Sequence, residues 1–395
     1  MNGSKRKLDD CDALATDGVE SAGTARASRK ISKLSAQDGN TVNTENKSQN
    51  DSSDSSPGLA PLLDFSALIS AEEISEHFEV VARELLSNTI LCVVQNGICT
   101  DLDILELEFY LQKACCHEDP FTHGSVEQER SGQWYFHRSP RRPDTCARGL
   151  PVTAAGSYRG GTRKGLDLTI GGPVVIQTSN APVTMRGGAL LRTVRHRTDN
   201  KVICGPSLLV DEILRLSGAS TIDHLVNRTW NGDIFALSPP TPPRGTFMYL
   251  RRATQNPVDG KRPTVYRSPR IGLDLSNPDT TGSITHPRVV FVGKPYRYFT
   301  HPGLLAYKGR VQTFVGLYNM LIESKGYAED SMELKKALRD LLGLGEQNVS
   351  KYMADYRSGY QGGKLKSFTG RAGKGVCQSA SEYLRMMGAL RKVLQ

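Results

Sequence analysis

The sequence contains no apolar run near the roughly 20 residues needed to span a membrane. Its polar N-terminus has no signal-peptide core. Membrane insertion and secretion are therefore not expected. Eight cysteines are scattered over 395 residues, which is not the pattern of a small secreted disulfide framework. Reduced thiols in the cytosol or nucleus fit better. No C-x2-C pair of the kind that marks zinc sites occurs. Cys115-Cys116-His117-Glu118-Asp119 gathers possible ligands, but its adjacent cysteines lack that spacing, and no metal is expected there. Aromatic residues are also few, and residues 1 to about 58 are nearly free of them.

That aromatic-poor segment is rich in Ser, Asp, Asn, Gly and Thr. It cannot bury enough apolar surface to offset its ordering entropy, so disorder is expected over 1–58. Its two basic clusters, Lys5-Arg6-Lys7 and Arg29-Lys30 with Lys33, read either as a nuclear-import signal or as solvated charge. The rest of the chain has length and apolar content for a substantial core. The formal net charge is +9, with −1 on residues 1–60, +7 on residues 300–395, and +3 between. Positive charge concentrated in the last quarter suits a polyanionic partner, of which nucleic acid is the commonest, or simply a solvated surface.

Order is predicted to begin near Leu59. Ser70-Ala71-Glu72-Glu73 has capping-box form ahead of Ile74, Phe78, Val81 and Leu85, which predicts an amphipathic helix over about 71–86. Two β-leaning runs follow, 89–94 and 105–111, separated by the turn pair Asn96-Gly97. Further strands are expected at 134–137, 166–170, 189–194 and 289–292. Gly205-Pro206-Ser207 opens a helix through Leu216, with proline where it costs no hydrogen bond. The Pro-Pro pairs make 238–270 read as long loops. Helices are predicted at about 303–325, 331–342, 346–356 and 379–394. The fold class is α+β, a mixed domain over 59–300 followed by a basic helical extension over 301–395.

The run Leu105-Glu106-Leu107-Glu108-Phe109-Tyr110-Leu111 alternates strictly. Its leucines and Phe109 form one face, and Glu106, Glu108 and Tyr110 form the other at a spacing of ~7 Å. Two carboxylates beside a phenol suit a general base next to a flat platform. From this segment alone, a half-exposed strand with its acidic residues turned to solvent is the commoner arrangement. His123 lies about one loop downstream and is within reach of the same cleft.

Further blocks follow in order: WYFH at 134–137, Tyr158-Arg159-Gly160-Gly161, Leu166-Asp167-Leu168, ALLR at 189–192, CGPSLL at 204–209, RIG at 270–272 and KPYRYF at 294–299. With ELEFY at 106–110 and His123, this series resembles the alkyladenine (3-methyladenine) DNA glycosylase family over roughly residues 85 to 299. The resemblance implies a mainly antiparallel curved sheet surrounded by helices. It implies a monomer that flips a damaged purine out of DNA in the nucleus and hydrolyses its glycosidic bond without metal or cofactor. Carried over by position, Glu108 is the carboxylate that activates water and Arg192 orients it. Tyr110 and His123 sandwich the flipped base, with His137 and Asp167 as further base-binding candidates.

The chain departs from the family at three places. Gly160 stands where the intercalating tyrosine precedes the glycine matched by Gly161, so Tyr158 or Arg159 is the candidate substitute. Asp167 replaces the asparagine that selects among purines, and an ionised carboxylate only accepts. An insertion separates His137 from Tyr158. The extension interleaves rings and charge over 351–375, including Lys364, Lys366, Arg371 and Lys374. This suits a grip on single-stranded or distorted DNA, or a basic helical cap whose tyrosines are core. Three functions follow: a damaged-purine glycosylase, a catalytically silent nucleic-acid-binding or damage-sensing homologue, and an N-glycosidase acting on RNA or nucleosides.

Overall fold

The computed structural model describes residues 58–139, 156–174, 183–243, 245–253 and 262–395. The expected disorder of the tail and its two basic clusters lie outside the described residues. Ser56–Gln395 forms one compact unit.

The first described elements are a short helix α1 (Leu59–Leu62) and the amphipathic α2 (Ala71–Ser87). The Ser70 hydroxyl accepts from Glu73 N–H and the Glu73 carboxylate accepts from Ser70 N–H, so α2 starts with the reciprocal cap its sequence predicts. Strands β1 (Thr89–Gln95) and β2 (Ile98–Lys113) form a hairpin closed by Asn96 and Gly97, both at positive φ. After β3 (His117–Glu118) come β4 (Ser131–Phe136), β5 (Leu166–Ile170), β6 (Gly172–Val174), β7 (Val183–His196) and β8 (Val202–Cys204). Helix α3 (Pro206–Leu216) begins at Pro206 as expected.

The structure departs from two expectations. The stretch read as loops contains β9 (Thr246–Arg252) and β10 (Tyr266–Ser268). Strand β9 pairs along all of β1, and its Met248 and Leu250 enter the core, so partner pairing outweighs the flanking prolines. Residues 289–292, expected as a strand, belong to helix α4 (Pro287–Val292). Pro287 at the first position presets φ, and the His286 ring accepts from Arg288 N–H as an N-cap, which overrides the β-branched run. Strand β11 (Arg297–Phe299) and helices α5 (Arg310–Lys325), α6 (Met332–Leu342), α7 (Glu346–Gly362) and α8 (Ala380–Leu394) complete the chain.

The architecture is α+β. Among the described residues an eleven-stranded sheet has the path β10-β11-β2-β7-β5-β4, and every pairing there is antiparallel. One core lies between the sheet, α2 and α3; Phe78 of α2 stacks on Phe109 of β2 at 4.4 Å between ring centroids. A second core joins α5–α8 and takes in Leu275, Val289 and Val292. Among the described residues no helix is long and apolar enough to cross a membrane.

Strand β2 carries an irregularity that sets the direction of its acidic side chains. Its pairing with β7 shifts between Ile104 and Glu106 and shifts back between Glu106 and Leu107. Leu105 is thus an extra residue on β2, and Arg192 an extra residue on β7. Core-facing residues run Leu102, Ile104 before the bulge and Leu107, Phe109, Leu111 after it, so the alternation changes phase at Leu105. Leu105, expected in that apolar row, is buried as the bulged residue instead.

Candidate functional site

A single row of residues crosses the sheet face opposite the first core. Register pairs Ser268 with Arg297, Arg297 with Glu108, Glu108 with Leu190, Leu190 with Asp167, and Asp167 with Tyr135. Six strands from β10 to β4 therefore deliver one line of side chains. Period-two alternation adds Glu106 and Tyr110 on β2, and His137 just beyond β4.

Glu108 is fully buried, and three donors hold it. Ile271 N–H donates to Oε1 at 2.7 Å, while the Tyr110 hydroxyl (2.9 Å) and an Arg192 Nη (3.1 Å) donate to Oε2. Glu106 is also buried, which excludes the solvent-facing version of this strand. It accepts from Arg297 Nε at 2.6 Å, from Arg192 Nε at 3.2 Å, and from the Thr193 hydroxyl. Burial acts to raise the Glu106 pKa, but Arg297, Arg192 and Thr193 outweigh it and hold the carboxyl below its ordinary value. The bulge lets Arg192 span both carboxylates, and its own pKa is raised because Glu108 and Glu106 overcome the opposing effect of burial.

Arg270 and Asp119 form a second, wholly buried ion pair beside this centre. The Arg270 guanidinium lies 4.5 Å from the centre of the Tyr110 ring and donates to Phe109 O. Burial first, and then the charge of Glu108, push the Tyr110 hydroxyl well above its ordinary pKa, so it is a neutral donor.

Farther along the row, His123 and His137 meet edge to face at 4.7 Å. His137 Nε2 lies 2.9 Å from Asp167 Oδ1, and Gln128 Nε2 donates to Asp167 Oδ2 at 3.0 Å. Both Asp167 oxygens are thus engaged by protein, and the expected direct reading of a base edge by Asp167 is replaced by a His137–Asp167–Gln128 chain. His123 is an exposed residue. Crowding by protein, then the neighbouring His137, lower its pKa to about 4.

The candidates for the wedge are differently placed. The Arg138 guanidinium covers the Tyr158 ring at 3.9 Å and donates to its hydroxyl, so Tyr158 is tied down rather than projecting. Arg159 Nε donates to Arg138 O. Gly160 and Gly161 are exposed and, with Arg159, Thr162 and Arg163, line a shallow solvent-facing depression.

Lys364, Lys366, Arg371 and Lys374 are all exposed. The rings expected to interleave with them are mostly not. Tyr356 and Phe368 belong to the second core, and Tyr352 packs edge to face on Phe314, because helical spacing turns those positions inward. The helical-cap version of the extension holds for these rings, while its charges face solvent. Gly370 N–H donates to Leu275 O, and Gly282 lies against Lys366. The basic loop therefore rests on the segment that follows Ile271, itself bonded to Glu108.

The Cys115–Asp119 string does not converge. His117 uses both ring nitrogens, on Leu111 O and the Tyr296 hydroxyl, and Asp119 is paired with Arg270.

No model of a known protein family matches this chain. An uncharacterized protein of Acanthamoeba polyphaga mimivirus is 28% identical over 213 residues, covering 52% of this chain and 84% of the viral protein.

Sequence reasoning had singled out Glu108, Tyr110, His123, His137, Asp167 and Arg192, and the sheet places them on one face. It assigned no role to Arg297, Arg270, Ile271, Thr193 or Gln128. The first three lie within the quoted RIG and KPYRYF strings, so their position was visible although their contacts were not. Gln128 carried no signal, since it reaches Asp167 from a one-turn helix that only the fold brings near.

Proposed function

We propose that this protein is a monofunctional glycosylase that hydrolyses the N-glycosidic bond of a damaged purine in DNA. The observation that carries the reading is the cross-strand row. It sets a buried carboxylate, oriented by an arginine and a backbone N–H, on the same sheet face as a tyrosine ring and a pair of histidines.

In this reading Glu108 accepts a proton from the attacking water as the water oxygen bonds to C1′ of the sugar. The C1′–N bond breaks, and the base departs with its electron pair. The carboxylate also stabilises the positive charge that develops on the sugar. Tyr110 and His123 offer flat surfaces for the extruded base, whose stacking offsets part of the cost of leaving the duplex. Arg159, Arg163 and the exposed Lys364, Lys366, Arg371 and Lys374 supply phosphate contacts.

A second reading has its own support. Glu108 presents no surface to solvent, its oxygens are already served by three donors, and glycines occupy the wedge position. These features suit a homologue that binds damaged nucleic acid without turnover.

A base-excision assay separates the readings. Labelled duplexes, single strands and RNA would carry methylated, etheno and hypoxanthine bases, with Glu108→Gln as the control. Release from DNA that is lost in the variant supports the glycosylase. Binding without release supports the silent homologue, and activity confined to RNA or nucleosides points to the third class. Release that survives in Glu108→Gln but vanishes in Glu106→Gln would remove Glu108 from its role.

A further inference from the structure

The hairpin that precedes the carboxylate strand carries a second constellation on the same sheet. Leu91 and Val93 of β1 enter the core, so Ile90, Cys92 and Val94 face the other way. Register sets Asp101, Cys92 and Tyr249 in one line across β2, β1 and β9, with Cys99 opposite Val94 two residues along. Cys92 Sγ and Cys99 Sγ each lie 3.4 Å from the same Asp101 oxygen, Oδ1. All three ligand atoms fall within 4.8 Å of one another.

We propose that Cys92, Cys99 and Asp101 form a binding site for a thiophilic divalent cation of the zinc type. The spacing suits it. With metal–sulfur bonds of about 2.3 Å and metal–oxygen bonds of about 2.0–2.2 Å, a tetrahedral ion puts its sulfur and oxygen ligands roughly 3.5 Å apart. The hairpin holds that edge length already, so little rearrangement is needed on binding.

Charge balance supports the same assignment. Two thiolates and a carboxylate bring three negative charges, and each bound ion displaces two thiol protons. A divalent cation leaves one negative charge over. Arg251 supplies its counterpart by donating to the outer Asp101 oxygen, Oδ2, at 2.5 Å. That contact also turns Oδ1 toward the sulfurs, as a hydrogen-bonded outer partner does for a metal ligand.

Access is one-sided. Cys92 is buried and Cys99 exposed, so the ion enters past Cys99. Three protein ligands leave a fourth position for water, the arrangement of an open rather than a closed zinc site. Sulfur donors select zinc-like ions over magnesium or calcium, which take oxygen. Asp101 and Glu108 are seven residues apart on β2, at most roughly 23 Å at the strand rise and less by the bulged Leu105. The site is thus separate from the carboxylate centre, and the proposal stands apart from the glycosylase reading.

The test uses the full-length, fully reduced protein under anaerobic conditions, titrated with Co2+ and then with Zn2+. The expected result is one cobalt per chain with sulfur-to-cobalt charge transfer and tetrahedral visible bands, bleached by zinc. Cys99→Ser and Asp101→Asn should each weaken binding by about tenfold or more, while a Cys115→Ser/Cys116→Ser pair should leave it unchanged. Cys99 is at the surface, so its loss does not threaten the core. Absence of the charge-transfer band, an unchanged cobalt affinity in Cys99→Ser, or a Cys92–Cys99 disulfide in place of metal uptake would each overturn the site.

Discussion

Glu108 accepts from three donors of unequal freedom. Ile271 donates from the backbone, and Arg192 is tethered to Glu106 as well, so the Tyr110 hydroxyl is the donor that a side-chain rotation can withdraw. Tyr110→Phe keeps the ring and frees that lone pair. Under the glycosylase reading, single-turnover base release should persist in Tyr110→Phe and fall steeply in Tyr110→Ala, where the stacking surface is gone. Loss of release in the phenylalanine variant would instead make the hydroxyl part of the chemistry. Glu106 answers differently, because Arg297 is wholly buried against it. Removing one partner of such a pair leaves an uncompensated charge, so Glu106→Gln should cost about 3–5 kcal/mol in urea unfolding. The low pKa of Glu106 also sets a sign. The stability it contributes is present above the unfolded-state carboxyl pKa and is lost as pH falls through its lower folded value. His123, held near 4, favours the fold above its unfolded pKa of about 6.5, and that contribution fades as pH falls toward 4. An imidazole NMR titration should find its midpoint below 5; a midpoint at or above 6.5 would refute the neutral assignment.

At the scale of elements, the bulge and the α7–α8 crossing are two places where geometry is demanding. The bulge rephases β2 so that acidic residues on both sides of Leu105 share one face, and it aims Arg192 between two carboxylates. Nothing in the alternation of 105–111 announces it, because the phase change is visible only against the partner strand. The crossing is tighter still. A Cβ on Gly359 would sit 2.0 Å from Arg385 O, and one on Gly388 would sit 2.0 Å from Tyr356 O. Alanine normally gains about 1 kcal/mol over glycine inside a helix. Here the backbone contact outweighs that gain, so Gly388→Ala should destabilise by about 1–3 kcal/mol through overpacking. Thermal and urea melts of the single variant check this, and a rise in stability would contradict the crossing. The strand expected at 289–292 failed for a local reason too, since a proline and a histidine cap outweigh the preference of three β-branched residues.

For the whole molecule, the extension is a supporting wall of the carboxylate centre. Thr313 of α5 accepts from Arg297 at 2.9 Å, and a Cβ on Gly316 would meet Arg267 O at 2.2 Å, so α5 lies directly against β10. Truncating the helices would open the second core, which makes deletion a poor probe of DNA binding. Neutralising Lys364, Lys366, Arg371 and Lys374 to glutamine leaves that core intact. If these side chains grip phosphates, affinity for DNA should drop, and the slope of log K against log salt should flatten by roughly 0.9 per lost contact on duplex. An unchanged slope would assign the charges to solvation alone.

The sequence by itself determined the elements whose signals are local: the capped α2, the Asn96-Gly97 hairpin, the α3 start at Pro206, and the pairing of Glu106 with Glu108 on one side of a strand. These depend on caps, turn residues and period, all set within a few positions. Tertiary structure alone decided which carboxylate each arginine serves, that Asp167 is spent on His137 and Gln128, that the tyrosines at 352 and 356 turn inward, and that Cys92, Cys99 and Asp101 converge. The arginine and Asp167 outcomes depend on register between strands distant in the chain, where a shift of one residue in pairing would send each strand side chain to the opposite face. The tyrosines depend on how α7 packs against α5 and α8, and the cysteines on the register of the β1–β2 hairpin.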